Sequence, residues 1–127
     1  MTRFSANLGF LWTDRSLVDA IHAAHDAGFD AVECHWPYDY DPAEVTAGLD
    51  ATGLSMLGRN TLRGDVAAGD SGLAALPGRQ DEARAAIDRA IAYAGAINTP
   101  KIHVMAGFAE GMQAEACFID NLRYATE

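Results

Sequence analysis

Five polar residues lie where predicted strands end or where a long loop follows. They are Asn7, Glu33, Asn60, Asp65 and His103. Amides, carboxylates and an imidazole can bind hydroxyl and carbonyl oxygens, and a carboxylate or imidazole can also move a proton. Glu33 comes late in an apolar strand, where an acidic group is costly unless it is paired. These five residues are the candidate binding residues of the protein.

Each candidate also has a structural interpretation. Glu33 can be a paired structural carboxylate, and His103, between Ile102 and Val104, can be a core histidine with satisfied hydrogen bonds. Asp65, together with Arg79, either closes over an anionic substrate or caps backbone groups. No set of Asp, Glu and His residues has convincing metal-ligand spacing.

Other residues near the predicted strand ends have weaker claims to function. For His35, which follows Cys34 in the same strand, a structural role is favoured. Trp12, Trp36 and Tyr38 are loop aromatics that either wall a small polar pocket or cover the ends of the core.

Hydrophobic periodicity predicts the elements that position these residues. Strands are predicted over 4–8, 31–35, 54–57 and around 102–105. The first helix is capped by Thr13 or Asp14 and ends at Gly28, and the second runs from Asp41 to Gly53. The third covers 80–97, with Ile91 in its buried stripe, and the last begins near Gln113 with Cys117, Phe118, Ile119 and Leu122 facing inward.

The predicted order is four β/α units, which implies a parallel sheet with right-handed crossovers. An open doubly wound sheet and a (β/α)8 barrel both fit this order. The first strand is followed by LGFLWTD, without a GxGxxG fingerprint, so dinucleotide binding loses support. A complete barrel needs ~250 residues, about twice the 127 residues present. The expected fold is therefore α/β, the first four β/α units of a (β/α)8 TIM barrel, as an incomplete barrel.

The segment 60–79 carries neither helical nor strand periodicity. Loops of this length inside a compact domain are usually functional lids or linkers. Its apolar residues favour a lid, because a solvated linker would not need such anchors; they are Leu62, Val66, Leu73 and Leu76.

Composition excludes several classes of partner. The net charge of −9 argues against nucleic acid and anionic membranes. No apolar run approaches the ~20 residues of a membrane span, and the N-terminus is a poor signal peptide. The two cysteines, Cys34 and Cys117, are expected to be reduced and buried in a cytoplasmic protein.

Several motifs follow one another along the chain: FSANLGFLW, GFDAVECHWPYDYD, the loop NTxxGDxxAGxxGLAALPGR, HVMAG and FIDNLRYA. Together they resemble the hydroxypyruvate isomerase family, within the xylose-isomerase-like TIM barrels. The resemblance covers the chain in order, and the long-loop motif is the most specific part of it. We therefore expect residues 1–127 to form the N-terminal half of such a barrel domain. The 2-oxo-tetronate isomerases of the same family are similar in this half.

The resemblance implies an aldose–ketose isomerase that interconverts hydroxypyruvate and tartronate semialdehyde. It implies two catalytic glutamates and a divalent metal, Mg²⁺ or Mn²⁺, whose ligands lie on later strands. No catalytic or metal residue is thus expected in this chain, and the chain alone is expected to be inactive. Asn7, Glu33, Asn60, Asp65 and His103 match motif positions on the side that binds the small sugar-acid substrate.

The sequence departs from the usual family pattern at Cys34-His35-Trp36, at Gly58-Arg59 and at Asp70, where Glu is typical. These changes bear on substrate identity more than on fold. The alternatives are a 2-oxo-tetronate isomerase fragment and a non-catalytic half-barrel that binds itself as a module. A half-barrel leaves strand edges exposed, so a homo-oligomer through those edges is also expected.

Overall fold

The computed structural model describes residues 1–127. The strands are β1 (Ser5–Asn7), β2 (Ala31–Glu33), β3 (Ser55–Met56), β4 (Gly58–Asn60) and β5 (Lys101–His103). The α-helices are α1 (Leu17–Asp26), α2 (Pro42–Thr52), α3 (Gln80–Ile97) and α4 (Met112–Thr126), and a 3₁₀ turn covers Val66–Ala68. The predicted alternation of strands and helices is confirmed, and α3 has the predicted bounds.

The chain forms two compact units, residues 1–59 with 92–102 and residues 60–91 with 103–127. In the first unit β1, β2 and β3 form a parallel sheet in that order, with Ser5 opposite Ala31 and Asn7 opposite Glu33. Helices α1 and α2 pack against each other. Fully or almost fully buried side chains from the sheet and helices make the core of this unit: Ala6, Ile21, Val32, Val45 and Met56. The parallel pairing predicted for the first three strands is confirmed.

The helix ends of the first unit correct one prediction and confirm another. Ser16 caps α1 by accepting a hydrogen bond from the Asp19 N–H at 3.1 Å, so Thr13 and Asp14 are not the cap. They lie in a turn that the Arg15 N–H closes onto the Trp12 carbonyl. Asp41 caps α2 as predicted, at 2.9 Å from the Ala43 nitrogen.

The third predicted strand is found in two pieces, β3 and β4, with Leu57 between them. The Leu57 N–H donates to the Val32 carbonyl at 2.8 Å, and the Gly58 carbonyl accepts from the Cys34 N–H at 3.1 Å. The segment from β3 to β4 therefore stays hydrogen-bonded to β2 and to the residues just after it, on both sides of the break. It also extends further than predicted, so that Asn60 ends a strand and does not begin a loop.

In the second unit, three apolar residues predicted to be buried are exposed. Ile91 on α3 is 44% exposed, and Ile119 and Leu122 on α4 are 42% and 37% exposed. The buried face of α4 is instead made by Ala114, Cys117 and Asn121. The Asn121 amide faces inward because it donates a hydrogen bond to the buried Ala74 carbonyl of the loop. Hydrophobic periodicity does not predict this hydrogen bond.

The long loop and the first strand also depart from prediction. Of the predicted anchors, Leu73 is buried but Val66, which lies in the 3₁₀ turn, is 49% exposed. Phe4, the first residue of the predicted strand 4–8, precedes β1 and is 64% exposed. The loop is thus anchored mainly through the stretch from Leu73 to Ala75, all buried.

Cys34 and Cys117 are both free and buried, as predicted. No helix combines the length and the apolar character that crossing a membrane requires.

Candidate functional site

Four of the five candidate residues are the last residues of their strands. Asn7 ends β1, Glu33 ends β2, Asn60 ends β4 and His103 ends β5. In parallel α/β folds, ligands bind beyond the carboxyl ends of the strands. The side chains therefore stand at the positions from which such folds recognise ligands.

In the first unit, Asn7 and Glu33 are opposite each other on neighbouring parallel strands. Register partners present their side chains on the same face of a sheet. The Leu8 N–H donates to the Glu33 carbonyl at 2.8 Å, and the Ser5 hydroxyl donates to Glu33 Oε1 at 3.4 Å. Because 3.4 Å is a long hydrogen bond, most of the accepting capacity of the carboxylate is left for a ligand.

Asn7 also shapes the turn that follows β1. Its Oδ1 accepts from the Gly9 N–H at 2.9 Å, and its carbonyl accepts from the Phe10 and Leu11 N–H groups, each at 3.1 Å. With Oδ1 used inside the turn, Nδ2 is the part of this amide that can donate to a ligand oxygen.

In the second unit, the structure brings Asn60 and His103 together. His103 Nδ1 lies 3.2 Å from Asn60 Oδ1. The Thr61 N–H donates to the His103 carbonyl at 2.9 Å, which ties the two strand ends together. His103 is exposed, so its interpretation as a core histidine is wrong. In the tautomer that donates from Nδ1 to Asn60, Nε2 is the acceptor that can take a proton or a hydrogen bond.

Asp65 has a structural role in the long loop. Its Oδ1 accepts from the Ala68 N–H at 3.2 Å, which caps the 3₁₀ turn. Its own N–H donates to Asp70 Oδ2 at 2.8 Å. These contacts favour the capping interpretation over direct contact with a substrate.

Arg79 ties the middle of the loop to the start of α3. Its guanidinium donates to both oxygens of Asp70, at 2.7 and 2.8 Å, and to both oxygens of Glu82, at 2.8 and 2.9 Å. These bonds hold the pKa of Asp70 and the pKa of Glu82 below their ordinary values, since each stabilises the ionised carboxylate. Arg79 is therefore occupied within the loop, and an anion would have to displace a carboxylate to reach it.

The loop also pairs with the chain beyond β5, a feature that the sequence analysis missed. Gly72 forms an antiparallel bridge with Ala106, and the Leu73 and Ala75 N–H groups donate to carbonyls of Met105 and Ala106, at 3.1 and 2.8 Å. Gly72 has a φ of 116°, and a Cβ there would approach the Met105 carbonyl to 2.7 Å. A glycine is required at this crossing, and the sequence signal for it is the GLAA motif.

No group of three or more His, Cys, Asp or Glu side chains in residues 1–127 is arranged to hold a metal ion.

Comparison with known proteins decides the family. Residues 21–127 match the family model described as xylose isomerase-like TIM barrel. The chain belongs to this family. The predicted resemblance and the predicted α/β barrel fold are thereby confirmed.

Relatives in this xylose isomerase-like family carry the names of sugar-acid isomerases. The chain is 44% identical over 129 residues to a 2-oxo-tetronate isomerase from Cupriavidus necator, covering 98% of this chain and 50% of that protein. It is 39% identical over 130 residues to the hydroxypyruvate isomerase of Escherichia coli, covering 98% and 50%. The chain spans about half the length of the curated relatives it matches.

Solved structures agree with this family assignment. A crystal structure of an AP endonuclease, family 2, from Brucella melitensis superposes with a TM-score of 0.91 at 38% identity, covering 98% of this chain and 50% of that one. A D-allulose 3-epimerase from Methylomonas sp. superposes with a TM-score of 0.71 at 14% identity, over 97% and 46% of the two chains. The second likeness concerns the fold alone.

Proposed function

We propose that the protein to which this chain belongs is a sugar-acid aldose–ketose isomerase of the hydroxypyruvate isomerase type. The reaction would interconvert hydroxypyruvate and tartronate semialdehyde, and the alternative substrate is a 2-oxo-tetronate. The observation that carries this proposal is the identity of 39–44%, over nearly the whole chain, to relatives with these names.

The chemistry explains which groups such a site needs. A proton leaves the carbon next to the carbonyl, an enediol forms, and a proton returns to the adjacent carbon. No electrons leave the substrate, so no redox partner is needed. What the protein must supply is an acid, a base and groups that bind the enediol oxygens.

In this proposal, residues 1–127 bind and orient the substrate. Asn7 Nδ2 and the Glu33 carboxylate bind substrate hydroxyl or carbonyl oxygens in the first unit. Asn60 and His103 form a separate candidate pair in the second unit, in which Asn60 orients the imidazole as a hydrogen-bonding group. Asp65, the fifth candidate residue, supports the loop by capping the 3₁₀ turn. The catalytic glutamates implied by the family resemblance are proposed to lie outside these residues.

The same division applies to the divalent metal. We propose that the divalent metal, Mg²⁺ or Mn²⁺, takes its protein ligands from outside residues 1–127, as the family resemblance implies. A bound ion would polarise the substrate oxygens. None of the roles given to Asn7, Glu33, Asn60 and His103 depends on that ion.

A nucleic-acid substrate, which the name of the Brucella melitensis protein would suggest, is not proposed for this chain. The net charge of −9 is unsuited to a phosphate backbone, since nucleic-acid binding relies on Lys and Arg.

Proton NMR in D₂O tests the isomerase directly. The native protein from its source is incubated with hydroxypyruvate or with 2-oxo-tetronate. We expect isomerisation of at least one acid, with solvent deuterium at the carbon that receives the proton. The 127-residue chain alone is expected to be inactive. Conversion of neither acid by the native protein would sink the proposal, and turnover by the short chain would overturn the division of roles.

Variants test the substrate-binding residues. Glu33→Gln should lower kcat/KM at least tenfold, about 1.4 kcal/mol of transition-state stabilisation, because it removes a charged hydrogen-bond acceptor. Glu44→Gln on the exposed face of α2 is the matched control and should leave kcat/KM unchanged. Equal kinetics for both variants would remove Glu33 from the site.

Self-association is the second candidate property, favoured by exposed apolar side chains in the second unit. Phe108 and Met112 are 80% and 86% exposed. Light scattering on the 127-residue chain should then give a mass above the 13.5 kDa of a monomer. A stable monomer would leave the isomerase proposal standing and remove this one.

A further inference from the structure

His35 continues the line of Glu33 beyond the end of β2, and it is held there by its neighbours. Its ring lies directly against the backbone of Gly9, so a Cβ at residue 9 would overlap the imidazole. The Phe10 ring meets it edge-on at 4.8 Å, and the Trp36 ring lies at 5.0 Å. The imidazole is therefore fixed in orientation beside the Asn7–Glu33 pair.

A cavity of about 210 Å³ opens next to this imidazole, entirely within the first unit. A water molecule takes up ~30 Å³ in the liquid, so the cavity has room for an organic acid of a few heavy atoms. Aromatic and polar side chains line its walls: Trp12, Thr13, Arg15, His35, Trp36 and Tyr40.

The charge of the cavity is unlike that of the chain. Acidic residues outnumber basic ones by 18 to 9 in the sequence, yet no Asp or Glu lines this cavity and Arg15 is its one charged residue. Arg15 forms no salt bridge in the structure. A guanidinium and an imidazole that line the same cavity are the groups that recognise a carboxylate.

A residue with a strained backbone conformation also lines this cavity. Trp12 has a φ of 53°, a left-handed conformation that is costly for a bulky residue. Such strain is concentrated at functional sites, and Trp12 is one of the residues that wall the cavity.

We infer that this cavity is a carboxylate-binding subsite, in which Arg15 and His35 hold the carboxylate of the sugar acid. The assignment to the substrate rests on the proposed isomerase function, whereas the binding of a small carboxylate does not. Arg15 and His35 are then specificity-determining residues, which select an acid over a neutral sugar.

Intrinsic fluorescence reports on the cavity directly, because Trp12 and Trp36 are the two tryptophans of the chain and both line it. The 127-residue chain is titrated with glycerate, a three-carbon hydroxy acid that cannot isomerise, and with glycerol as the neutral counterpart. A saturable change with glycerate and none with glycerol is expected. No saturable change with glycerate would overturn the inference.

Variants locate the bound carboxylate. Arg15→Gln and His35→Gln should each raise the Kd for glycerate, Arg15→Gln at least tenfold, about 1.4 kcal/mol. Arg123→Gln, at an exposed arginine of α4, is the matched control and should titrate like the wild type. Arg15 is exposed as well, so its replacement tests binding without disturbing the core. Identical titrations of Arg15→Gln and Arg123→Gln would also overturn the inference.

Kinetics of the native protein separate a substrate carboxylate from a second small acid. If the subsite holds the substrate, glycerate competes with hydroxypyruvate and Arg15→Gln raises KM more than it lowers kcat. Non-competitive behaviour would overturn the assignment to the substrate and leave a separate anion site. A native protein that isomerises neither acid, but whose fluorescence saturates with glycerate, would refute the isomerase and that assignment while the carboxylate site remains.

Discussion

Asp70 and Arg79 are joined by two parallel hydrogen bonds of 2.7 and 2.8 Å across nine residues of the long loop. Asp70 also accepts from the Asp65 N–H, so one carboxylate connects the 3₁₀ turn to the start of α3. Bidentate pairs of this kind fix geometry as well as adding energy. The loop is thus a built structure with a defined shape.

This pair makes the stability of the protein depend on pH. Hydrogen bonds from Arg79 hold the pKa of Asp70 below its ordinary value of 3.8. A carboxylate with a lowered pKa in the folded state stabilises the fold above its unfolded pKa, and this stabilisation is lost as pH falls through the folded pKa. The Tm of the wild type should therefore exceed that of Asp70→Asn near neutral pH, and the difference should shrink below about pH 4.

Asp50→Asn, at an exposed position on α2, is the control for that experiment. The difference in Tm between Asp50→Asn and the wild type should stay nearly constant over the same pH range, unlike the difference for Asp70→Asn. A Tm difference for Asp70→Asn that is independent of pH would mean that the Arg79 pair does not act through the ionised carboxylate.

Gly9 and Gly95 give opposite expectations for the same substitution. Gly9→Ala places a methyl group against the His35 ring, and overpacking of this kind costs about 1–3 kcal/mol. Gly95 lies inside α3 with open space where a Cβ would be, so Gly95→Ala should stabilise by about 0.5–1 kcal/mol. Urea unfolding of both variants measures the free energies of unfolding. A stable Gly9→Ala variant would show that His35 is free to move.

Asn121 connects α4 to the loop through a buried amide. Its side chain is fully buried, and Nδ2 donates to the Ala74 carbonyl at 2.8 Å. Asn121→Leu should destabilise by about 1–3 kcal/mol, because a buried carbonyl loses its donor. Gln113→Leu, at an exposed position of the same helix, should change stability by about 0.5 kcal/mol or less. Chemical denaturation distinguishes the two, and equal effects would contradict the role of the amide.

Cys34 is expected to be unreactive in the native protein. Burial raises the pKa of its thiol to about 12, against the opposing charge of Arg59. Because the thiolate is the nucleophile, a Cys117→Ser variant should react with a disulfide reagent near neutral pH only after unfolding. Labelling in guanidinium chloride is the positive control, and rapid labelling without it would contradict the expected lack of reactivity.

Periodicity and turn chemistry predicted the fold well. Asp41-Pro42 and Gly53 marked both ends of α2, and the C-terminal end of α3 followed from the break at Asn98 to Pro100. Burial was predicted less well on α4. Apolar Ile119 and Leu122 are exposed while Asn121 is buried, because a hydrogen bond to a distant carbonyl outweighs hydrophobicity at that position.

The sequence alone determined the order of strands and helices, the parallel sheet and the polar residues at the strand ends. These depend on local preferences and on the periods of helix and strand, which neighbouring residues encode. Only the tertiary structure decided that Asn60 holds His103, that Arg79 is occupied by Asp70 and Glu82, and that His35 rests on Gly9. Such contacts join residues far apart in the chain, and which of them form depends on how the elements pack.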